Sequence, residues 1–339
     1  MRIQKHKKYF SALIALLPLI NNYGIPGASG SLSDIATIFL CLIILYNFLC
    51  TGTFQKKNFG VAFIPYFLVI CVNFIMYASS HGGIGDVFID YARQFLWLFI
   101  LIIGIPKCGD EETAFKALEY ITLATCFYCW LQLLFIKRLG IMLPSYVPGL
   151  PHREDLDTEI QYLNYTQYYR PHSLFSEPSI FCEYLLVYIA LLLFWNNSGK
   201  LERRTQYKKW FVIATCFITG STTGILGVVF LYIFSFFLSK KDSFRFKSIY
   251  LLYVPPVILA LFYIFSSSMF QIFWQRTFID GSALDGRFGK VNLLMGRTGI
   301  SAWFGDGFVY DSVVALIGWI PGFALTYMYY GIFGLAVIL

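Results

Sequence analysis

"RPHSLFSEPSIFCEYLLVYIALLLF", residues 170–194, sets an arginine, a histidine and a glutamate beside a proline, just ahead of a run whose single charge is Glu183. The run is close to the length that crosses the hydrocarbon core of a bilayer. A loaded polar mouth on an apolar helix is the pattern that decides the fold, because it recurs along the chain.

The 339 residues are 58% hydrophobic and 19% aromatic but only 13% charged, about half the charged share of an ordinary soluble domain. Apolar stretches of roughly 15 to 20 residues recur about ten times. They fall near 9–24, 33–50, 59–78, 87–105, 117–136, 179–195, 210–220, 224–238, 249–265 and 313–339. They lack the period-two alternation of barrel strands, and backbone polar groups cannot stay unpaired in lipid, so helices are the expected spans. The predicted fold class is all-α, one polytopic transmembrane domain over 1–339 with two large outer loops. The first span, after "MRIQKHKK", has some features of a secretory signal, but a retained first helix is the expectation, since so many later spans need no cleaved leader.

Lysine and arginine set the orientation. With a cytoplasmic N-terminus, most of the 26 basic residues fall in inside loops, including Lys5, Lys7, Lys8, Lys56, Lys107, Lys116, Arg203, Lys208 and Lys240. The net charge of +7 then reads as membrane anchoring and excludes nucleic acid as a partner. The cysteines lie in apolar segments or, for Cys108, an inside loop, so no disulfide framework is expected. Cys126 and Cys129 read as buried packing thiols rather than a redox or metal motif.

That topology leaves two long outer loops, 137–178 and 266–312, where chemistry would be placed. The first carries Lys137, Arg138, Arg153 and Arg170, and the second Arg276, Arg287, Lys290 and Arg297, against the topology rule and balanced by acids. The planar fork of arginine suits a phosphate or diphosphate, and pairing with neighbouring acids is the alternative. Pro178 fits the first turn of a helix, with Glu177 at its cap. Glu183, about 9 Å into the span, should face protein or a watery cavity. In "DVFIDYARQFLW", Asp86, Asp90, Arg93 and Trp97 share one helical face, either as an Asp90–Arg93 structural pair or as the lining of a polar cavity. Tyr162, Tyr165, Tyr168 and Tyr169 read either as interfacial anchors or as rings that stack on sugars.

Three stretches carry a resemblance: "RPHSLFSEPSIFCEYLL", the "FITGSTTGILGVVF" turn, and "DGRFGKVNLLMGRTGISAWFGDGF" in the second loop. Over roughly residues 165–339 the chain resembles the Wzy-type O-antigen and capsule polymerases, and it is similar to the related O-antigen ligases. The resemblance implies a bacterial inner-membrane glycosyltransferase, acting at the outer face on oligosaccharide repeat units carried by undecaprenyl diphosphate. It implies no nucleotide sugar, cofactor or metal, and partnership with the flippase and chain-length regulator of the pathway and with membrane lipid. No metal-ligand spacing is present, and "HREDLD" lacks the glycine and full spacing of a calcium loop.

Carried onto this chain, the resemblance assigns Arg170, Arg287 and Arg297 to the diphosphate, and the cavity-lining reading of its own helix adds Arg93 to them. Glu177, His172 and Asp311 become candidates for the base that takes the proton of the attacking hydroxyl, and Tyr165, Tyr168 and Tyr169 for the sugar. "GSTTG" is expected to be a tight helical hairpin built of small residues, without the arginine that family members often place there. Asp311 stands in "GDGFVYDS" where ligases tend to carry a histidine, which favours the polymerase. The chain stops at "GIFGLAVIL" inside an apolar run where family members continue, the pattern of a shortened form. The alternatives from other classes are a transporter of lipid-linked oligosaccharide or another polar solute, and an assembly scaffold.

Overall fold

The computed structural model describes residues 2–25, 28–51, 63–81, 85–151, 169–194, 203–238, 298–307 and 327–334. It is mostly helical. In chain order the elements are α1 (Arg2–Ile20), a two-stranded antiparallel pair β1 (Gly24–Ile25) and β2 (Ala28–Ser31), α2 (Leu32–Thr51), α3 (Ile64–His81) and α4 (Gly85–Phe99). A π-helical segment, Ile100–Gly104, leads without a break into α5 (Ile105–Cys108). Then come α6 (Glu111–Leu139), α7 (Pro178–Phe194), α8 (Arg203–Ile218), α9 (Thr222–Leu238) and the short α10 (Ile300–Phe304).

Three helices among the described residues are long and apolar enough to cross a membrane: Leu32–Thr51, Phe88–Cys108 and Glu111–Leu139. Shorter apolar helices run over Ile64–Ala78, Pro178–Phe194 and Thr222–Ser235. The expected spans at 249–265 and at most of 313–339 lie outside the described residues, as does most of the 266–312 loop. The small strand pair was not foreseen, although Pro26 and Gly27 between its strands are a turn signal.

The chain divides into two compact units, one comprising Met1–Ser11, Asp34–Asp110 and Trp274–Leu339, the other Ala12–Ser33 and Glu111–Phe273. In the first unit α2 and the α4–α5 run are tied at both ends. Near the start of α2, Arg93 makes a two-pronged pair with Asp34, Nε to Oδ1 and Nη2 to Oδ2, both at 2.7 Å, while Nη1 donates to Asp90 Oδ1 at 2.8 Å. Near its other end Asn47 Nδ2 donates to Cys108 Sγ at 3.1 Å. Between the ties, Leu40, Ile44, Ile100 and Phe10 are buried. Gly104 makes the close approach: a Cβ there would lie 2.5 Å from Ile44 Cδ1 and 2.8 Å from Phe10 Cζ. On α3, Asn73 accepts from the hydroxyl of Tyr91 at 2.6 Å and donates to the carbonyl of Tyr329, so a polar residue in an apolar helix is used from both sides.

The second unit is organised around α7, which buries Phe181, Cys182, Tyr184, Leu185, Tyr188, Ile189 and Leu192. Its core draws residues from α6, α8, α9 and the later part of α1. α6 opens on Glu111 and Glu112 and closes on Lys137 and Arg138, the charge order that complements a helix dipole. α9 lies close on α7 because Gly224 faces Cys182, where a Cβ would come within 2.5 Å of the sulfur. Between α6 and α8, Glu119 takes an ion pair from Lys208 and a hydrogen bond from Tyr188 Oη at 3.1 Å. Lys208, read from sequence as an inside-loop charge, is therefore part of a helix-to-helix tie.

The Arg93 arrangement predicts a graded effect. Arg93→Met strands two carboxylates, and unfolding in detergent followed by circular dichroism should show a loss of about 1–3 kcal/mol, allowing for partial exposure. Arg93→Lys, which cannot reproduce the fork, should fall between that variant and the wild type.

Candidate functional site

One end of the second unit is polar. There the end of α1, the end of α6, the start of α7 and the turn between α8 and α9 come together with the loop residues 140–151 and 169–177, none of which is helix or strand. Asn22 Nδ2 donates to the carbonyl of Leu174 at 3.0 Å, the Tyr23 hydroxyl accepts from the Val147 amide at 3.1 Å, and the Gly24 amide donates to the Pro151 carbonyl at 2.9 Å. These bonds moor both loops to the same short segment of chain.

The centre of this end is Gln132, fully buried in α6. Its Oε1 accepts from the Ser173 amide at 2.8 Å, which fixes the amide orientation. Its Nε2 then donates to the Ser173 carbonyl at 3.1 Å, the Pro144 carbonyl at 3.4 Å and Ser145 Oγ at 3.3 Å. Ser145 Oγ stands 3.3 Å from His172 Nε2, and His172 Nδ1 stands 2.5 Å from the carbonyl of Phe175. A carbonyl only accepts, so Nδ1 carries the hydrogen and, in the neutral ring, Nε2 accepts from Ser145. Ser173, at the middle of the network, is held at φ 60°, a left-handed conformation that a non-glycine residue adopts only when its surroundings impose it.

His172 is thus buried with both ring nitrogens engaged, a loop anchor in this conformation. Tyr169 is also buried. Glu177 is exposed at the mouth of α7; its backbone carbonyl accepts from Phe181 at 3.0 Å as an N-cap, and its carboxylate accepts from Ser179 Oγ at 2.9 Å. Arg170 is half-buried and its Nε donates a long bond, 3.5 Å, to the carbonyl of Thr219 in the α8–α9 turn. The turn has no arginine of its own, and Arg170 reaches it from the loop before α7. Thr219 Oγ1 itself bridges Cys182 Sγ, at 3.1 Å, and the Cys216 carbonyl, at 2.8 Å.

Arg170, His172, Glu177 and Tyr169 therefore share one end of one unit. Arg93 belongs to the other unit, where its fork is committed to Asp34 and Asp90 rather than open to a diphosphate. Arg287, Arg297, Asp311, Tyr165, Tyr168 and the "HREDLD" stretch lie outside the described residues. Glu183 is exposed on α7, on the same face as Ile180 and Val187, and does not turn toward the interior of its unit. All eight cysteines are free, with Cys126 and Cys129 buried in the core of the second unit. Among the described residues no group of three or more histidine, cysteine or acidic side chains could hold a metal ion.

Sequence reading missed Gln132, Ser145, Asp34 and Glu119. Gln132 and Glu119 carried a usable signal, a polar residue set within an apolar helix, which has to find a partner inside the protein. Ser145 carried none. No family model, curated protein or solved structure matches the chain.

Replacing Gln132 by Leu should leave the Ser173 amide without its partner and remove one of the two bonds of the Ser145 hydroxyl, at about 1–3 kcal/mol. Hydrogen exchange should then quicken about 10- to 100-fold in 140–151 and 169–177. Glu177→Gln, at an exposed cap, should leave both loops protected.

Proposed function

We propose that the chain is a membrane glycosyltransferase that polymerises oligosaccharide repeat units carried on undecaprenyl diphosphate, at the outer face of a bacterial inner membrane. The observation that carries this reading is the position of Arg170 on the Thr219–Ser221 turn, beside the start of α9 and at the same polar end as the exposed Glu177. A helix start offers unpaired N–H groups and positive potential, and an arginine next to it adds a fixed cation, so the two together favour a departing diphosphate.

In the proposed step a hydroxyl of the acceptor sugar attacks the anomeric carbon of the donor. The new C–O bond forms as the bond to the diphosphate breaks, and the diphosphate leaves with that electron pair. The hydroxyl proton passes to Glu177, which is exposed, in preference to His172, whose nitrogens are already engaged. A direct displacement inverts the anomeric centre, so a new linkage that kept the donor's configuration would rule the step out. Arg287 and Arg297 join the proposed site by the resemblance, and Asp311, Tyr165 and Tyr168 by the chemistry of their side chains.

A second reading, a transporter of lipid-linked oligosaccharide or another polar solute, is favoured by the charges inside helices: Glu119 with Lys208, and Arg93 with Asp34 and Asp90. Each of these is already paired as a structural tie, and the enzyme accounts better for an arginine and an exposed acid gathered at the loop end.

The test is a gel of surface polysaccharide from the native bacterium lacking this gene, complemented with wild type or with Arg170→Ala. The polymerase reading expects the ladder to collapse to a single attached repeat unit, restored by wild type, with the variant's rate reduced on the order of 100- to 1,000-fold. Loss of all attached glycan would point to ligation or transport instead, and an unchanged ladder would overturn the proposal.

A further inference from the structure

The second unit contains a cavity of about 620 Å³ between α1, α6 and α7, within the ~300–1,000 Å³ typical of small-molecule sites. Its wall includes Pro18 of α1, Phe115 of α6, and Tyr184, Val187 and Phe194 of α7, and Glu111 is its only charged residue among the described residues. The Tyr184 hydroxyl is engaged, donating to the carbonyl of Ala15, another wall residue, at 2.8 Å. The cavity lies beside α6, one of the helices long and apolar enough to cross a membrane, so the surrounding solvent at that depth is hydrocarbon.

We infer that this groove holds one acyl chain of a phospholipid from a single leaflet, with an ammonium headgroup over Glu111. Its extent argues for one leaflet. On α6 it runs from Glu111 to Leu118 and on α7 from Phe194 back to Tyr184, about 10 and 15 Å at 1.5 Å per residue. That is half of a ~30 Å core, starting from the helix ends.

Charge selects the headgroup. Glu112 is paired with Lys116 at 2.5 Å and Glu119 with Lys208, whereas Glu111 has no ion-pair partner among the described residues. A carboxylate at the groove's mouth attracts the ammonium of an ethanolamine headgroup and repels a diphosphate. A polyprenyl diphosphate is excluded by that repulsion and by a chain far longer than the groove. The inference depends on the chain lying in a membrane and not on the polysaccharide reading.

The test uses the full chain, reconstituted into nanodiscs of equal phosphatidylethanolamine and phosphatidylglycerol with a trace of polyprenyl phosphate, then released and weighed by native mass spectrometry. The expected result is one retained phosphatidylethanolamine per chain. Ala114→Trp, which fills the groove wall, should lower retention at least about fivefold, and Glu111→Gln should keep a lipid but reduce the preference for ethanolamine over glycerol about two- to fivefold. If Ala114→Trp proves misfolded by its melting temperature, Glu111→Gln decides alone. Retention of no lipid, retention of polyprenyl phosphate, or a headgroup preference unchanged by Glu111→Gln would each overturn the inference.

Discussion

A polar side chain within a hydrocarbon-length helix finds no water to bond, and the folded chain has to supply its partner. Four polar groups inside apolar runs of the described residues meet that constraint, whereas Glu183 stays exposed on α7. Arg93 is answered by Asp34 and Asp90, Glu119 by Lys208 and Tyr188, Asn73 by Tyr91 and the Tyr329 carbonyl, and Gln132 by Ser173, Pro144 and Ser145. Apolar surface alone would let the helices slide over one another. The polar pairs give each contact a register, since a hydrogen bond tolerates a few tenths of an ångström where a leucine stripe tolerates a turn.

The same constraint shapes the polar end of the second unit. Two loops without helix or strand carry many unpaired backbone groups, and these are satisfied by the end of α1 and by Gln132. Once the loops are moored, the residues between the moorings have little choice of position: His172 is drawn inward between Ser145 and Phe175, and Arg170 is left against the α8–α9 turn. Charge gathered before an apolar helix therefore sorts into a buried loop anchor, His172, a half-buried arginine against the turn, Arg170, and an exposed acid, Glu177. Small residues make a parallel contribution, since Gly104 and Gly224 bring helices close enough for the polar groups beside them to meet.

Several features were legible from residues alone. The apolar runs at 33–50, 87–105 and 117–136 correspond to the three helices long enough to span, because length and apolarity are properties of a segment taken by itself. Pro178 marked the start of α7 with Glu177 as its cap, and the spacing of Asp90 and Arg93 put them on one face, for the same reason: both are local geometry. The hairpin of small residues at "GSTTG" follows from its glycines and needs no partner to be predicted.

What the sequence by itself determined, then, is everything set by neighbours along the chain: the all-α class, the helices that can cross a membrane, their caps and their faces. What only the tertiary structure decided is which distant residue answers each polar group. Asp34 lies 59 positions from Arg93 and Thr219 lies 49 from Arg170, and no periodicity joins either pair. The fate of His172 turned on Ser145, 27 positions away in a stretch with no pattern of its own. Partners at such separations are chosen by how the helices pack, and packing is a property of the whole unit rather than of any segment.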